Sequence, residues 1–192
     1  MRKIIAGTFV TLDGVMEAPG SGDTTLPDHR GWTEPYMNDE IGMSLLEQID
    51  DSDVILLGRK TYHDFANFWP AVPDSDPFGQ RMNNKAKVVV STTLDKADWK
   101  NSTLIKGNLA EEIGKLKQQP GKNISITGSG DLIHSLMQLD LIDEYQLLVF
   151  PVVLGIGKRL FSEGMNKNLT LVEAKPFGTG VVRLTYQPDH KA

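Results

Sequence analysis

The chain has 192 residues, of which 40% are hydrophobic and 23% charged, and its formal net charge at pH 7 is −5. These values are typical of one globular domain, which we assign to residues 1–192, and the negative charge disfavours nucleic acid as a partner. Because the chain has no cysteine, a disulfide framework, a thiolate zinc site and a cysteine nucleophile are excluded.

The N-terminal stretch predicts a strand. Residues 3–11 alternate loosely between apolar and polar side chains, unlike the apolar segment of a signal peptide. No run of the chain approaches the roughly 20 apolar residues of a membrane span. We therefore expect a cytoplasmic protein without a membrane partner.

Strand-like and helical patterns alternate along most of the chain. After a long loop over 17–35, a helix capped by Asn38 or Asp39 is predicted to run to about Ile49. The next predicted elements are a strand at 53–57, a short helix from Lys60, a loop at 69–79, a strand at 86–91, a helix at 109–118, a strand at 123–126 and a further helix. This alternation predicts an α/β fold with a mostly parallel sheet flanked by helices.

The C-terminal part changes to strands, predicted at 144–153, 169–175 and 180–186. They indicate an antiparallel end to a mixed sheet. The apolar run 147–154 has no polar face, so we expect helices or a second subunit to cover it on both sides. Pro151 favours a sheet edge or a bulge at that point. On these grounds we predict a homodimer.

Two short glycine turns each follow a predicted strand and open a predicted helix. The first is Gly58-Arg59-Lys60-Thr61, and the second is Gly128-Ser129-Gly130-Asp131. Such turns present free backbone N–H groups and the positive end of a helix, which together bind phosphate. Two on one sheet suit a pyrophosphate, and the cations of the first suit a further phosphate. The alternative is a pair of plain turns in which Thr61, Ser129 or Asp131 only caps a helix.

A third junction has related chemistry. Ser91 and Thr92 place hydroxyl groups at the end of the strand 86–91, and ligands of open α/β sheets bind at that edge. The six-residue dinucleotide fingerprint is absent, which disfavours a plain Rossmann fold. The four histidines lack metal-ligand spacing, so no metal is expected. Asp39 is either a surface acid that compensates the helix dipole or a carboxylate that holds or protonates a heterocycle.

In this order the junctions resemble the dihydrofolate reductase-like superfamily, and more closely the stand-alone relatives of the RibD C-terminal reductase domain of riboflavin biosynthesis. The matching stretches are 11–14, 57–62, 87–91, 127–130 and 141–155. The resemblance implies a mixed eight-stranded sheet, a homodimer and bound NADPH.

Carried over by position, the resemblance assigns cofactor contacts to the three junctions. Arg59, Ser91 and Thr92 would meet the 2′-phosphate of the adenosine. The pyrophosphate would be held by the remaining residues of the two glycine turns, namely Gly58, Lys60 and Thr61 at one helix start and Gly128, Ser129, Gly130 and Asp131 at the other.

The substrate end departs from the family pattern. Riboflavin-pathway reductases usually carry a lysine where this chain has Gly7 and a glutamate where it has Thr127, and residues 67–70 lack their phosphate-gripping segment. The buried acid of dihydrofolate reductases would fall near Gly42.

The resemblance therefore implies a reductase whose substrate is open. We expect an NADPH-dependent reductase of a small heterocycle, similar to 5-amino-6-(5-phosphoribosylamino)uracil reductase or dihydrofolate reductase. Asp13, Asp39 or a water would supply the proton. The alternative is a non-catalytic, dimeric NADPH-binding relative that has lost the substrate site.

Overall fold

A computed structural model of the protein describes residues 1–23, 25–161 and 163–189. Within them, strands and α-helices alternate. The strands are β1 (Ile4–Thr11), β2 (Ser52–Gly58), β3 (Ala86–Val90), β4 (Ser102–Ile105), β5 (Asn123–Thr127), β6 (Glu144–Phe150), β7 (Leu169–Pro176) and β8 (Val182–Pro188). The α-helices are α1 (Asp39–Asp50), α2 (Arg59–Phe68), α3 (Pro77–Asn84), α4 (Leu109–Gln118) and α5 (Gly130–Gln138).

The eight strands form one sheet in the order β4-β3-β2-β5-β1-β6-β8-β7. The first six strands in this order pair in parallel, and β8 pairs antiparallel with both β6 and β7. The predicted mixed sheet with an antiparallel C-terminal end is therefore confirmed. Parallel pairing also brings the carboxyl ends of β2, β3 and β5 to one edge, where the three predicted junctions lie.

Helices cover both faces of the sheet because alternate strand residues point to opposite sides. On one face, α4 and α5 pack against β1, β5 and neighbouring strands around Ile4, Ile126 and Ile133. On the other face, α1 packs near Phe150, while α2 and α3 pack over β2 and β3. Both layers are apolar on the sheet side, which accounts for the β2 sequence being buried nearly throughout.

Local signals place α1 where the sequence predicts it. The Asn38 side chain accepts a hydrogen bond from Ile41 N at 2.9 Å and starts the helix. The prediction of a loop over 69–79 is wrong at its end. There, Asp76 caps α3 by accepting from two first-turn amides, and Pro77 occupies the first helical position, which tolerates proline.

The predicted strand 144–153 ends early, at Phe150. Pro151 has no N–H to donate to a neighbouring strand, so the ladder stops there. Val153 is 70% exposed, and the helices described here thus cover only the first half of the run 147–154. Cover by a second subunit stays a prediction.

None of the helices in the described ranges has the length and apolar character needed to cross a bilayer.

Candidate functional site

The two glycine turns lie against each other at the carboxyl edge of the sheet. Strands β2 and β5 are neighbours and pair Leu56 with Ile126, which brings the turns that follow them side by side. A methyl group on Gly58 would overlap Ser129 Oγ, and one on Gly128 would lie 3.7 Å from the methyl group of Thr61. Glycine at position 58 is thus required for the close approach of the two helix starts.

Both helices that begin at these turns lack a side-chain cap. Gly58 precedes α2, and Ser129 precedes α5 without its hydroxyl accepting from the first turn. By contrast, α1, α3 and α4 are capped by Asn38, Asp76 and Asn108. The first-turn amides of α2 and α5 are therefore left for a ligand or solvent.

The backbone before α5 is shaped to aim amides outward. Gly128 and Ser129 both adopt left-handed conformations, with φ of 77° and 69°. Successive N–H groups at such a bend line an anion-binding concavity. A non-glycine residue at positive φ is uncommon, and it occurs preferentially where function requires it.

Positive charge surrounds the first turn. Arg59 and Lys60 are exposed, and neither forms an ion pair with a residue in the described part of the chain. The pairing of Gly58 with Val90 places Arg59 beside Ser91, the residue that follows β3. Ser91 Oγ accepts from the amides of Thr93 and Leu94 at 3.2 and 3.0 Å, and it lies 3.5 Å from Thr93 Oγ1, where either hydroxyl group can donate. Thr92 is exposed next to it.

A further cation, Lys158, stands at the second turn. Its Nζ lies 3.4 Å from Oδ1 of Asp131 in the first turn of α5, and both side chains are exposed. The Asp131 carboxylate would repel a phosphate, so at an anion site only its backbone amide would be useful. Sequence reasoning missed Lys158 because it reads as a strand-terminating turn residue, 27 positions after the helix residue that it contacts.

The loop after β1 is held over the start of α5. Met16 N donates to Lys158 O at 2.9 Å, and Leu160 N donates to Gly14 O at 2.9 Å. The Met16 side chain meets the α5 start, because a Cβ on Gly130 would lie 3.0 Å from Met16 Sδ. This apolar side chain therefore packs beside the glycine that begins α5.

Asp13 is engaged by three donors. Its carboxylate accepts from Thr11 Oγ1 at 2.6 Å, Gly155 N at 2.8 Å and Leu154 N at 3.2 Å. The Thr11 hydroxyl, followed by the Gly155 and Leu154 amides, lowers the Asp13 pKa to about 2. The group is thus ionised at neutral pH and fastens the 154–155 segment to β1, which makes it a weak proton donor.

Asp39 lies apart from this arrangement. It is exposed at the first position of α1, on the helix that covers the face opposite α5. The catalytic roles of Asp13 and Asp39 both stay predictions. Within the described part of the chain, no three histidine or acidic side chains are grouped as metal ligands.

Two of the cavities bordered by the described residues lie away from the glycine turns. One of about 820 Å³ borders α2 and is lined by residues that include Asn67, Pro70, Trp99 and Lys100. It contains none of the predicted cofactor residues, although Asn67 and Pro70 come from the segment that departs from the family pattern. The other, of about 520 Å³, lies between α1 and strands β6 to β8.

Residues 2–183 match the family model described as the RibD C-terminal domain. The chain belongs to this family. It is 36% identical over 191 residues to the uncharacterized protein YyaP of Bacillus subtilis, covering 96% of this chain and 94% of that one. It is also 32% identical over 183 residues to YwjB of the same organism, covering 94% and 95%.

Solved structures show the same fold at low sequence identity. A Shewanella sp. PV-4 protein named for riboflavin biosynthesis has a TM-score of 0.75 and 23% identity, covering 98% of this chain and 99% of that chain. The Thermotoga maritima diaminohydroxyphosphoribosylaminopyrimidine deaminase/5-amino-6-(5-phosphoribosylamino)uracil reductase has a TM-score of 0.67 and 12% identity, covering 98% and 57%. Enterococcus faecalis dihydrofolate reductase, complexed with NADP(H), has a TM-score of 0.61 and 14% identity, covering 97% and 96%. The fold is thus that of dihydrofolate reductase and of the reductase family named for RibD.

Proposed function

We propose that the protein is an NADPH-dependent reductase of a small pteridine- or aminopyrimidine-like heterocycle. The observation that carries the proposal is the contact between two glycine turns, each at a helix start without a side-chain cap. Adjacent helix N-termini with unpaired amides suit the two phosphates of a pyrophosphate. Family membership and an NADP(H)-bound structure of the same fold support this reading.

The residues at the turns fit NADPH chemically. Arg59, flanked by Ser91 and Thr92, would hold the 2′-phosphate through charge-assisted hydrogen bonds. The main-chain amides of the two turns and the Thr61 and Ser129 hydroxyl groups would hold the pyrophosphate, with Lys60 as the nearest cation of the first turn. When bound, NADPH supplies the hydride, and the chain orients the substrate and shields the reacting groups from water.

The proton is assigned separately from the hydride. Because hydrogen bonds keep the Asp13 carboxylate ionised, Asp13 serves in this proposal as a positioning group for the 154–155 segment. A bound water or Asp39 then delivers the proton to the reduced heterocycle.

Isothermal titration calorimetry with NADPH and NADH tests the cofactor assignment. We expect Arg59→Ala to weaken NADPH binding about 10- to 100-fold and to leave NADH binding unchanged, because only NADPH carries the 2′-phosphate. Lys167→Ala is the charge-matched control, since Lys167 pairs with Asp140 beyond the other end of α5. Equal affinity of the wild type for both coenzymes would refute the role of Arg59.

The alternative is a dimeric NADPH-binding protein without turnover. It is favoured by the departures at Gly7, Thr127 and 67–70, and by the absence of a proton on Asp13 at neutral pH. NADPH binding without NADPH oxidation, across pterins, folates and ribosylaminopyrimidines, would select this alternative over the reductase.

We also propose that the protein is a homodimer. The edge strand β7 exposes Leu171 and Val172 by 51% and 55%, and an uncovered apolar edge favours association. Light scattering after size exclusion at micromolar concentration tests this, and a monomeric mass would refute it.

A further inference from the structure

The cavity of about 520 Å³ beside α1 has the size of a small-molecule site. Its lining includes Gln48 of α1, Gln146 of β6, and Arg183 and Thr185 of β8. These polar side chains lie over the end of the sheet formed by β6, β8 and β7. The same face is filled by aromatic and aliphatic side chains towards Phe150.

Several hydrogen-bonding groups in this cavity have no partner in the described part of the chain. The Arg183 Nε is buried and unpaired, although Nη1 and Nη2 bind Ser44 Oγ at 2.7 Å and Glu173 Oε2 at 2.9 Å. The Gln48 carboxamide and the Thr185 hydroxyl make no hydrogen bond either. Gln146 donates to Glu144 at 2.7 Å, which leaves its own oxygen as an acceptor. Arg183 Nε is closed off from solvent, whereas the free polar atoms of Gln48, Gln146 and Thr185 are accessible and together suit a polar ligand.

Gly7 allows Gln48 to reach the floor of this cavity. A methyl group at position 7 would overlap Gln48 Nε2, so the carboxamide lies directly on the main chain of β1. Gly7 pairs with Gln146 on one side and with Thr127 on the other. Thr127 immediately precedes the second glycine turn. The carboxamide therefore lies one strand away from the strand end that leads into the proposed coenzyme site.

The charge around the cavity is negative. Glu47, Asp51, Glu144 and Glu173 line it, and Arg183 is the cation among its lining residues. Arg183 is already paired with Glu173, and Lys3 Nζ lies 3.6 Å from Glu144. A negative surround of this kind repels phosphate and accepts neutral or cationic molecules.

We propose that this cavity binds the heterocycle that the proposed reductase acts on, and that this substrate carries no phosphate. That the ligand is a substrate rests on the proposed function. That the cavity binds an unphosphorylated polar ligand rests on the contacts and charges described above. A carboxamide presents a donor and an acceptor side by side, which matches the adjacent NH and C=O of a lactam ring. Gln48 and Thr185 are thus the specificity-determining residues, and the Arg183 guanidinium, held by Ser44 and Glu173, forms part of the cavity wall.

Ligand-observed NMR titration tests the cavity with defined probes. The probes are uracil, pterin, and the matched pair uridine and uridine 5′-monophosphate, each with and without saturating NADPH. The variants are Gln48→Leu and Thr185→Val, and Gln118→Leu at the exposed end of α4 is the matched control. We expect the unphosphorylated probes to bind the wild type and the control equally, and each cavity variant about 10-fold more weakly. Uridine 5′-monophosphate should bind at least 10-fold more weakly than uridine.

Different results would contradict the cavity assignment and the proposed function. Equal probe binding by Gln48→Leu and Gln118→Leu, tighter or equal binding of the monophosphate, or no probe binding by the wild type would each overturn the cavity assignment. Loss of NADPH binding by the wild type would instead overturn the reductase, and the probe titrations without NADPH would still judge the cavity. Should Gln48→Leu fail to fold by circular dichroism, Gly7→Ala displaces the same carboxamide and takes its place.

Discussion

Lys87 is a lysine buried in the core without a carboxylate partner. It is 1% exposed, and its Nζ donates to the carbonyls of Asn83, Lys85 and Lys100 at 2.9–3.0 Å. The same ammonium lies 4.1 Å from the centre of the Trp99 ring. Burial, and then the nearby charge of Lys100, lowers the Lys87 pKa to about 8 from the ordinary 10.5. The free energy of unfolding should therefore include a pH-dependent contribution from the Lys87 side chain.

The sign follows from proton binding by the two states. Below about pH 8, Lys87 is charged in both the folded and the unfolded chain, and the cost of burying the charge is felt in full. Between about pH 8 and 10.5 the folded state has released a proton that the unfolded state keeps, so stability rises with pH. The difference between the two pKa values, at about 1.4 kcal/mol per pKa unit, sets an upper limit of about 3.4 kcal/mol on the gain.

Urea denaturation of the wild type and of Lys87→Met, measured at intervals from pH 7 to 10.5, isolates this contribution. Other titrating groups, including Tyr145, whose pKa burial raises to about 12, are common to both proteins and cancel in the difference. We expect the stability of the wild type to rise relative to the variant across the window. If the difference in stability between the wild type and the variant did not change with pH, the reasoning would be refuted. Such a result would mean that the three carbonyl groups and Trp99 offset the cost of burying the charge.

Three further substitutions have expected outcomes. Asp13→Asn should lower stability by about 1 kcal/mol at pH 7 and remove the loss of stability that the wild type shows as pH falls from about 4 to 2, both measured by urea denaturation. Ser129→Gly should raise the melting temperature, because a left-handed residue costs about 1 kcal/mol, and weaken NADPH binding by less than Arg59→Ala does. Gly7→Ala should leave the melting temperature nearly unchanged, since only the flexible end of Gln48 must move, yet weaken uridine binding as Gln48→Leu does.

Elements with local signals could be predicted from the sequence. Asn38 and the apolar stripe that follows it are sufficient to place α1, and Pro120 marks where α4 has ended. The short strand β4 was missed because its four residues, Ser102–Ile105, have no strong alternation. It pairs with β3 over that length, and this pairing is a tertiary contact that no local pattern reports.

The residues of the candidate site also differ in whether a local sequence signal reveals them. Glycines at the strand ends predicted the two turns, because a residue without a side chain permits the close backbone approach at Gly58 and Gly128. Gln48 was missed because a half-buried glutamine late in a helix has no signal of its own. Its position is meaningful only because Gly7, forty-one residues earlier, leaves space on the neighbouring strand.

On these proposals, the coenzyme and the substrate are bound by different kinds of chemical group. The coenzyme half uses main-chain amides at the starts of α2 and α5, whose geometry is fixed by glycines and strand pairing. The substrate half uses the side chains of Gln48, Thr185 and Arg183, on elements that do not contribute to the coenzyme half. A substitution at Gln48 or Thr185 therefore changes which heterocycle binds and leaves the coenzyme amides in place. If the proposals hold, single side chains in the cavity beside α1 select the heterocycle, and substitutions there are the direct way to determine it.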